Sequence, residues 1–173
     1  MDLTELAEHV ERVRSGGNIH QHLDLIAGLP YEDYESFGKS FNDLYAHEPD
    51  QLQLGFLKVL KGTVMEEEVK KYDIIYRNQS PYEVLGTKWL SYDEIILLKG
   101  VEELVELYYN SGQFTNTMRH LETEFPDPFT MYQSLGEYYG EQGWWGQSHS
   151  RMQRFEMLRE FIHSVSEDPV YDE

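Results

Sequence analysis

The sequence predicts an α/β protein: a short parallel sheet in the first half, followed by an α-helical C-terminal part. Three observations predict it. The run His22-Leu-Asp-Leu-Ile-Ala-Gly-Leu-Pro30 reads as a buried strand that stops at a Gly-Leu-Pro turn and hands over to a helix. A second apolar run, Leu52 to Leu57, follows that helix, and from Ser91 onward the apolar residues recur at helical spacing. Two strands joined through a helix are most simply parallel neighbours, because a parallel pair needs a crossover of this length.

Leu3, Leu6, Val10 and Val13 lie on one helical face, and Ser15-Gly16-Gly17 stops that helix after about three turns. Residues 19–27 have strand character. Tyr34, Phe37, Phe41, Leu44 and Tyr45 define a second helix, which must end by Pro49 because the residue before proline disfavours helical backbone. Glu66-Glu67-Glu68 with Lys70-Lys71 reads as a solvated helical stretch with Glu-to-Lys pairs four apart. Ile74 to Arg77 and Glu83 to Leu90 are further strand candidates, too few to complete a sheet covered on both faces. The boundary between the two parts falls between Gln79 and Ser91.

Ser91-Tyr-Asp-Glu94 is a capping-box pattern, and Ile95, Leu98, Val101, Val105 and Tyr108 continue the helix it opens. Three more helices follow. Phe114, Met118, Leu121 and Phe125 mark the first, and Asp127-Pro128 supplies a cap and first-turn proline for the second. Met152, Phe155, Leu158, Ile162 and Val165 mark the third. The acidic tail from Glu167 is expected to fray.

With 14 Lys and Arg against 32 Asp and Glu, the formal charge is -18. That balance argues against nucleic acid and anionic membrane surfaces as partners. The 173 residues include no cysteine, which excludes disulfides and thiolate metal ligands. No apolar run approaches the roughly 18 residues of a membrane span, and the acidic start is unlike a signal peptide. A cytoplasmic protein is expected.

Standard phosphate, zinc-protease and nucleophile-elbow motifs are absent. His20 and His22 fall on one strand face and could suggest a metal, but with no third ligand they read as half-buried histidines. Glu32 and Asp33 read as first-turn carboxylates favoured by the helix dipole rather than as acids or bases of a reaction. Trp144-Trp145 and Tyr108-Tyr109 read as packing anchors. The alternative is that these aromatics belong to an acidic interaction module without catalysis. Asp24 stands out. Placed between Leu23 and Leu25, a buried carboxylate needs a partner, a ligand or a route to water.

The segment Asp24-Leu-Ile-Ala-Gly-Leu-Pro30, a helix, and then Leu54-Gly-Phe-Leu-Lys-Val-Leu-Lys-Gly-Thr63 resembles the second half of a radical S-adenosylmethionine enzyme barrel. The likeness is to the cobalamin-binding subgroup of these iron-sulfur oxidoreductases. Lys61 stands where such proteins usually have proline. Tyr82-Glu-Val-Leu-Gly-Thr-Lys-Trp-Leu-Ser91 and the helices after it are similar to the helical extension of some of these proteins.

The resemblance implies a partial (β/α) barrel with few parallel strands over residues 1–80 and a helical extension over 81–173. It places Asp24 near the ribose hydroxyls of S-adenosylmethionine and Ile26 against the adenine. Gly28 would let the backbone turn beneath the cofactor, and Phe56 and Leu57 would contact the adenine side. Such enzymes hold a four-iron four-sulfur cluster on three cysteines. With none here, the resemblance implies a C-terminal fragment that is inactive alone, carries no cofactor by itself, and has the missing N-terminal half as its partner. The parent would use S-adenosylmethionine, the cluster and, within this subgroup, cobalamin. The truncated sheet is also expected to have its edge covered by a helix or a partner chain, including a second copy of this chain, because unpaired strand edges recruit pairing.

Overall fold

A computed structural model describes residues 3–166. The tail from Glu167 lies outside the described residues. Helix α1 spans Leu3–Ser15 and stops where Gly17 takes a positive φ of 63°. Strand β1 (His22–Ala27) follows, then α2 (Tyr34–Tyr45), β2 (Gln51–Phe56) and the short α3 (Val64–Glu68). Strands β3 (Ile75–Tyr76) and β4 (Val84–Gly86) lead into α4 (Tyr92–Leu104), which continues as a π-helical segment over Val105–Asn110. Helices α5 (Thr115–Leu121), α6 (Pro128–Glu141) and α7 (Arg151–Val165) complete the described chain.

The α/β expectation holds. Strands β1 and β2 pair in parallel, with Leu23 opposite Leu52, Leu25 opposite Leu54 and Ala27 opposite Phe56. Strands β3 and β4 form a separate antiparallel pair, and no closed barrel exists among the described residues. Both of these strands are shorter than predicted. The β3–β4 hairpin attaches to the continuation of β2, through Val84 N–H to Leu57 C=O (2.8 Å) and Val59 N–H to Tyr82 C=O (2.9 Å).

The expectation that β1 is a buried strand holds for one face only. Its residues alternate, so Leu23, Leu25 and Ala27 face the helices while His22, Asp24 and Ile26 face away and are exposed. Among the described residues no element covers the second face, so Asp24 needs no buried partner.

A two-stranded sheet has two edges, and the chain treats them differently. On β2, the Asn110 side chain acts as a surrogate strand: Leu52 N–H donates to its Oδ1 (3.0 Å) and its Nδ2 donates to Leu52 C=O (2.9 Å). The expected helical cover is therefore present on this side. On β1, Gln51 N–H bonds Gln21 C=O and Leu57 N–H bonds Ala27 C=O. By the alternation of a parallel ladder, the backbone groups of His22, Asp24 and Ile26 then point outward, and no strand lies beside them among the described residues.

The hydrophobic core runs as one cluster from the βα unit into the helices. Phe41 of α2 packs its ring 5.5 Å from Phe129 and 5.9 Å from Tyr132 of α6. Asn42 ties the same helices, donating to Asp127 Oδ1 (3.0 Å) and accepting from Phe129 N–H (2.9 Å). These helices approach closely because Gly38 has no side chain: a Cβ there would lie 2.7 Å from Phe129 Cδ1.

The π segment brings three consecutive side chains to three anchors. Tyr108 O–H meets Tyr139 O–H at 2.5 Å, Tyr109 O–H donates to Pro49 C=O at 2.5 Å, and Asn110 reaches Leu52. Trp145 fits a slot floored by glycines, with its ring 3.3 Å from a Cβ built on Gly100 and 3.8 Å from one on Gly136. Its neighbour Trp144 meets Tyr139 edge-on at 5.1 Å. Both tryptophans therefore pack, as the sequence predicted.

Two helical predictions are corrected. The stretch around Glu66 ends as a helix at Glu68, so the ion pair that forms is Lys71 to Glu68, three residues apart at 2.7 Å. On α7 the buried residues are Met157, Leu158, Phe161 and Ile162, while Met152, Phe155 and Val165 are exposed. The first turn of α7 meets the body through the Arg154 backbone, which accepts from Tyr108 O–H (3.2 Å), while Met152 and Phe155 beside it stay exposed.

Asn110→Ala is expected to destabilise the chain by about 1–3 kcal/mol in urea unfolding, because it strands both backbone groups of Leu52. Gly38→Ala should cost a similar amount, roughly 1–3 kcal/mol, by forcing α2 and α6 apart.

Candidate functional site

The face of the β1–β2 sheet that no helix covers carries most of the predicted site. Register places His22 opposite Gln51, Asp24 opposite Gln53 and Ile26 opposite Gly55 on that face. Asp24 is 63% exposed, and its Oδ1 lies 3.1 Å from His22 Nε2. Its second oxygen remains open to a hydroxyl or amine from solvent. Ile26, 44% exposed, adds an apolar surface one step along the strand. A polar pair beside an apolar step suits a ligand that joins hydroxyls to a flat ring.

Gly28, Phe56 and Leu57 have other surroundings. Gly28 is buried with φ of 87°, and a Cβ there would lie 2.8 Å from Val84 Cγ1. Glycine is required by the turn and by β4 packing over it, which accounts for the residue without a ligand. Phe56 faces the helices at 8% exposure, and Lys99 Nζ sits 4.0 Å from its ring centre. Its side chain is thus on the opposite face from Asp24. Leu57 is half-buried at the junction of β1, β2 and β4, where its N–H bonds Ala27 and its C=O bonds Val84.

After the turn, Asp33 is the N-cap of α2, accepting from Ser36 N–H at 2.8 Å while its own N–H donates to Ser36 Oγ at 2.9 Å. The predicted carboxylate role at the helix start therefore falls on Asp33. Glu32 is different. Partial burial pushes its pKa above the ordinary value, with Asp33 adding to the rise and the Ser40 hydroxyl opposing it, and its Oε2 has no hydrogen-bond partner.

Tyr31 was not legible as a special position. It holds a positive φ of 72° at 71% exposure, with its ring 4.8 Å from Trp89 and 5.7 Å from Tyr72. Such backbone in a bulky residue stores strain that the surrounding contacts must hold. Nothing in the local sequence signals it, since the rings it leans on come from residues 41 and 58 positions away.

The two histidines, expected to be half-buried, are both exposed and turn to different partners. His22 faces Asp24, while His20 lies 3.8 Å from Asp50 at the start of β2. Among the described residues no three His, Asp or Glu side chains come together as a metal-binding group. With no cysteine in the sequence, this chain supplies no thiolate ligand for an iron-sulfur cluster. On the helix-free face Asp24 offers an exposed carboxylate and Ile26 an exposed apolar side chain.

A family model described as a protein of unknown function, DUF4080, matches residues 70–172, more than half the chain. The chain belongs to the DUF4080 family. The DUF4080 match covers the β3–β4 hairpin and every helix from α4 onward, and it stops short of β1 and β2. The family thus rests on the helical part, while the helix-free face belongs to the segment before it. No curated protein matches the chain. Among the described residues no helix is long and apolar enough to cross a membrane.

Glu32→Gln is expected to raise stability at neutral pH. A carboxylate whose folded pKa is raised stabilises the fold at low pH and loses that contribution as pH rises from its ordinary value through the raised one. The gap between variant and parent in urea midpoint should therefore shrink as pH falls through the raised value and stop changing below about 4.5, the ordinary value.

Proposed function

We propose that this chain is the C-terminal part of a radical S-adenosylmethionine oxidoreductase of the cobalamin-binding kind. In this reading β1 and β2 are consecutive strands of a partial (β/α) barrel, residues 1–80 belong to that barrel, and residues 81–173 are its helical extension. One observation carries the reading: the two-stranded parallel sheet has helices on one face only, and its bare face presents Asp24 and Ile26 beside an open β1 edge. A (β/α) barrel arranges its layers in the same way, with helices outside and the ligand-facing residues inside.

Asp24 would accept from the ribose hydroxyls, with His22 holding its carboxylate across the strand face. Ile26 would meet the adenine, and Leu57 would border it from β2. The Phe56 side chain takes no part in this arrangement. Gly28 acts indirectly, by letting β4 close over the end of β1. Reductive cleavage of S-adenosylmethionine to a substrate radical belongs to a cluster-bearing half whose ligands this chain does not contain. That half is the proposed partner, docking along the β1 edge. The chain by itself is then inactive.

Two measurements test the reading. The reading frame upstream of Met1 is expected to encode three cysteines spaced Cys-x-x-x-Cys-x-x-Cys; a closed frame behind a native ribosome site would remove the single-gene form and leave a split or decayed gene. Calorimetry of the purified chain with S-adenosylmethionine should show only feeble binding, since one wall of a pocket excludes little water. Tight binding would mean that the site is complete elsewhere on this chain.

A further inference from the structure

A second surface belongs to the helical part. A groove of about 320 Å³ runs between α4 and α6, lined by Ile96, Leu97 and Gly100 of the first helix, Gly136 of the second and the Trp145 ring lying between them. Its lining is chiefly apolar, and Ile96 and Leu97 are exposed. We propose that a second copy of this chain docks in this groove through the exposed apolar stripe that opens α7. The proposal stands independently of the barrel reading.

The stripe supplies the apolar groups that the groove lacks. Met152 and Phe155 stand three residues apart on one face of α7, exposed at 66% and 47%, while Met157, Leu158, Phe161 and Ile162 bury the opposite face in the core. Large apolar side chains exposed side by side mark an interaction surface, which scattered single ones do not. In the groove they meet Trp145, and both a thioether and a phenyl ring pack favourably on an indole.

Charge selects the occupant. A formal charge of -18 makes two copies repel, so a contact between them has to join a locally basic surface to an acidic one. The start of α7 is such a surface: three of the five Lys and Arg after Tyr92 are Arg151, Arg154 and Arg159, against Glu156 and Glu160 in the same stretch. Arg151 and Arg159 lie four residues to either side of Phe155 and therefore flank it on the helix, and neither forms an ion pair among the described residues. The groove has the opposite sign. Glu103 lines it, Glu137 accepts only from the neutral amide of the lining residue Gln133 (3.0 Å), and the charge of Lys99 is neutralised by Glu83. Each copy carries both surfaces, seven positions apart at Trp145 and Met152, so the same contact made twice closes a two-fold dimer.

The test is sedimentation velocity of the full chain over a concentration series, in salt high enough to screen long-range repulsion. A reversible monomer–dimer equilibrium is expected. Phe155→Asp in the stripe and Ile96→Asp in the groove should each raise its dissociation constant by about thirtyfold or more, as loss of a central interface residue does. Both positions are exposed, so both variants should keep the parent's urea midpoint. The decisive arm mixes them. Isotope-labelled Phe155→Asp retains its groove and unlabelled Ile96→Asp retains its stripe, so the mixture should shift the Trp145 indole N–H signal saturably, whereas neither variant shifts it by self-titration. A parent that stays monomeric, one that grows beyond a dimer, a dimer indifferent to either substitution, or a Trp145 signal unmoved in the mixture would each overturn the proposal.

Discussion

The bond pair between Asn110 and the backbone of Leu52 is the constraint on which the rest of this structure depends. Two strands alone are marginal in water. Here one edge is closed by a side-chain amide that offers a donor and an acceptor at strand spacing. To deliver that amide, the helix after Leu104 widens into a π turn, and the widened turn is held by Tyr108 on Tyr139 and Tyr109 on Pro49. The helical part therefore does more than cover the sheet. It substitutes for a strand.

This arrangement gives the sheet a direction of growth. The outer side of β2 is occupied by Asn110 at Leu52, while β4 pairs with the chain just past β2 where β1 has ended, and the outward backbone groups of β1 meet no strand among the described residues. A further strand can add at β1. The face with Asp24 and Ile26 lies next to that edge, so whatever pairs with β1 also becomes the neighbour of the candidate site.

Aromatic residues connect these regions. Phe41, Phe129, Tyr45, Tyr132 and Tyr109 form a chain of rings from α2 through α6 to the π segment. Burying tyrosine in place of leucine obliges each hydroxyl to find a partner. Tyr45, Tyr108, Tyr109 and Tyr139 do so with Glu122, with each other and with Pro49, and burial raises the pKa of all four.

Local patterns were enough to place most elements. The apolar spacing located α2, α4, α5 and α6, and Ser91, Asp127 and the residue before Pro49 marked their ends, because caps and proline act within one turn of the chain. The alternation in β1 was equally present in the letters, yet which face would be covered was not. Asp24 read as buried because its neighbours are leucines, and it proved exposed because no second helical layer exists on its side. The misplaced stripe on α7 has the same cause, since periodicity names a face but not what it meets.

By itself, the sequence determined the element types, the α/β class, the acidic character and the lack of thiolate ligands, all of which follow from local propensity and composition. Tertiary structure alone decided that Phe56 and Asp24 face opposite ways, that Gly28 answers to Val84 and that Asn110 closes β2. Each of those depends on groups brought together from at least 29 positions apart. No window along the chain contains both members of such a pair, so only packing could assign them.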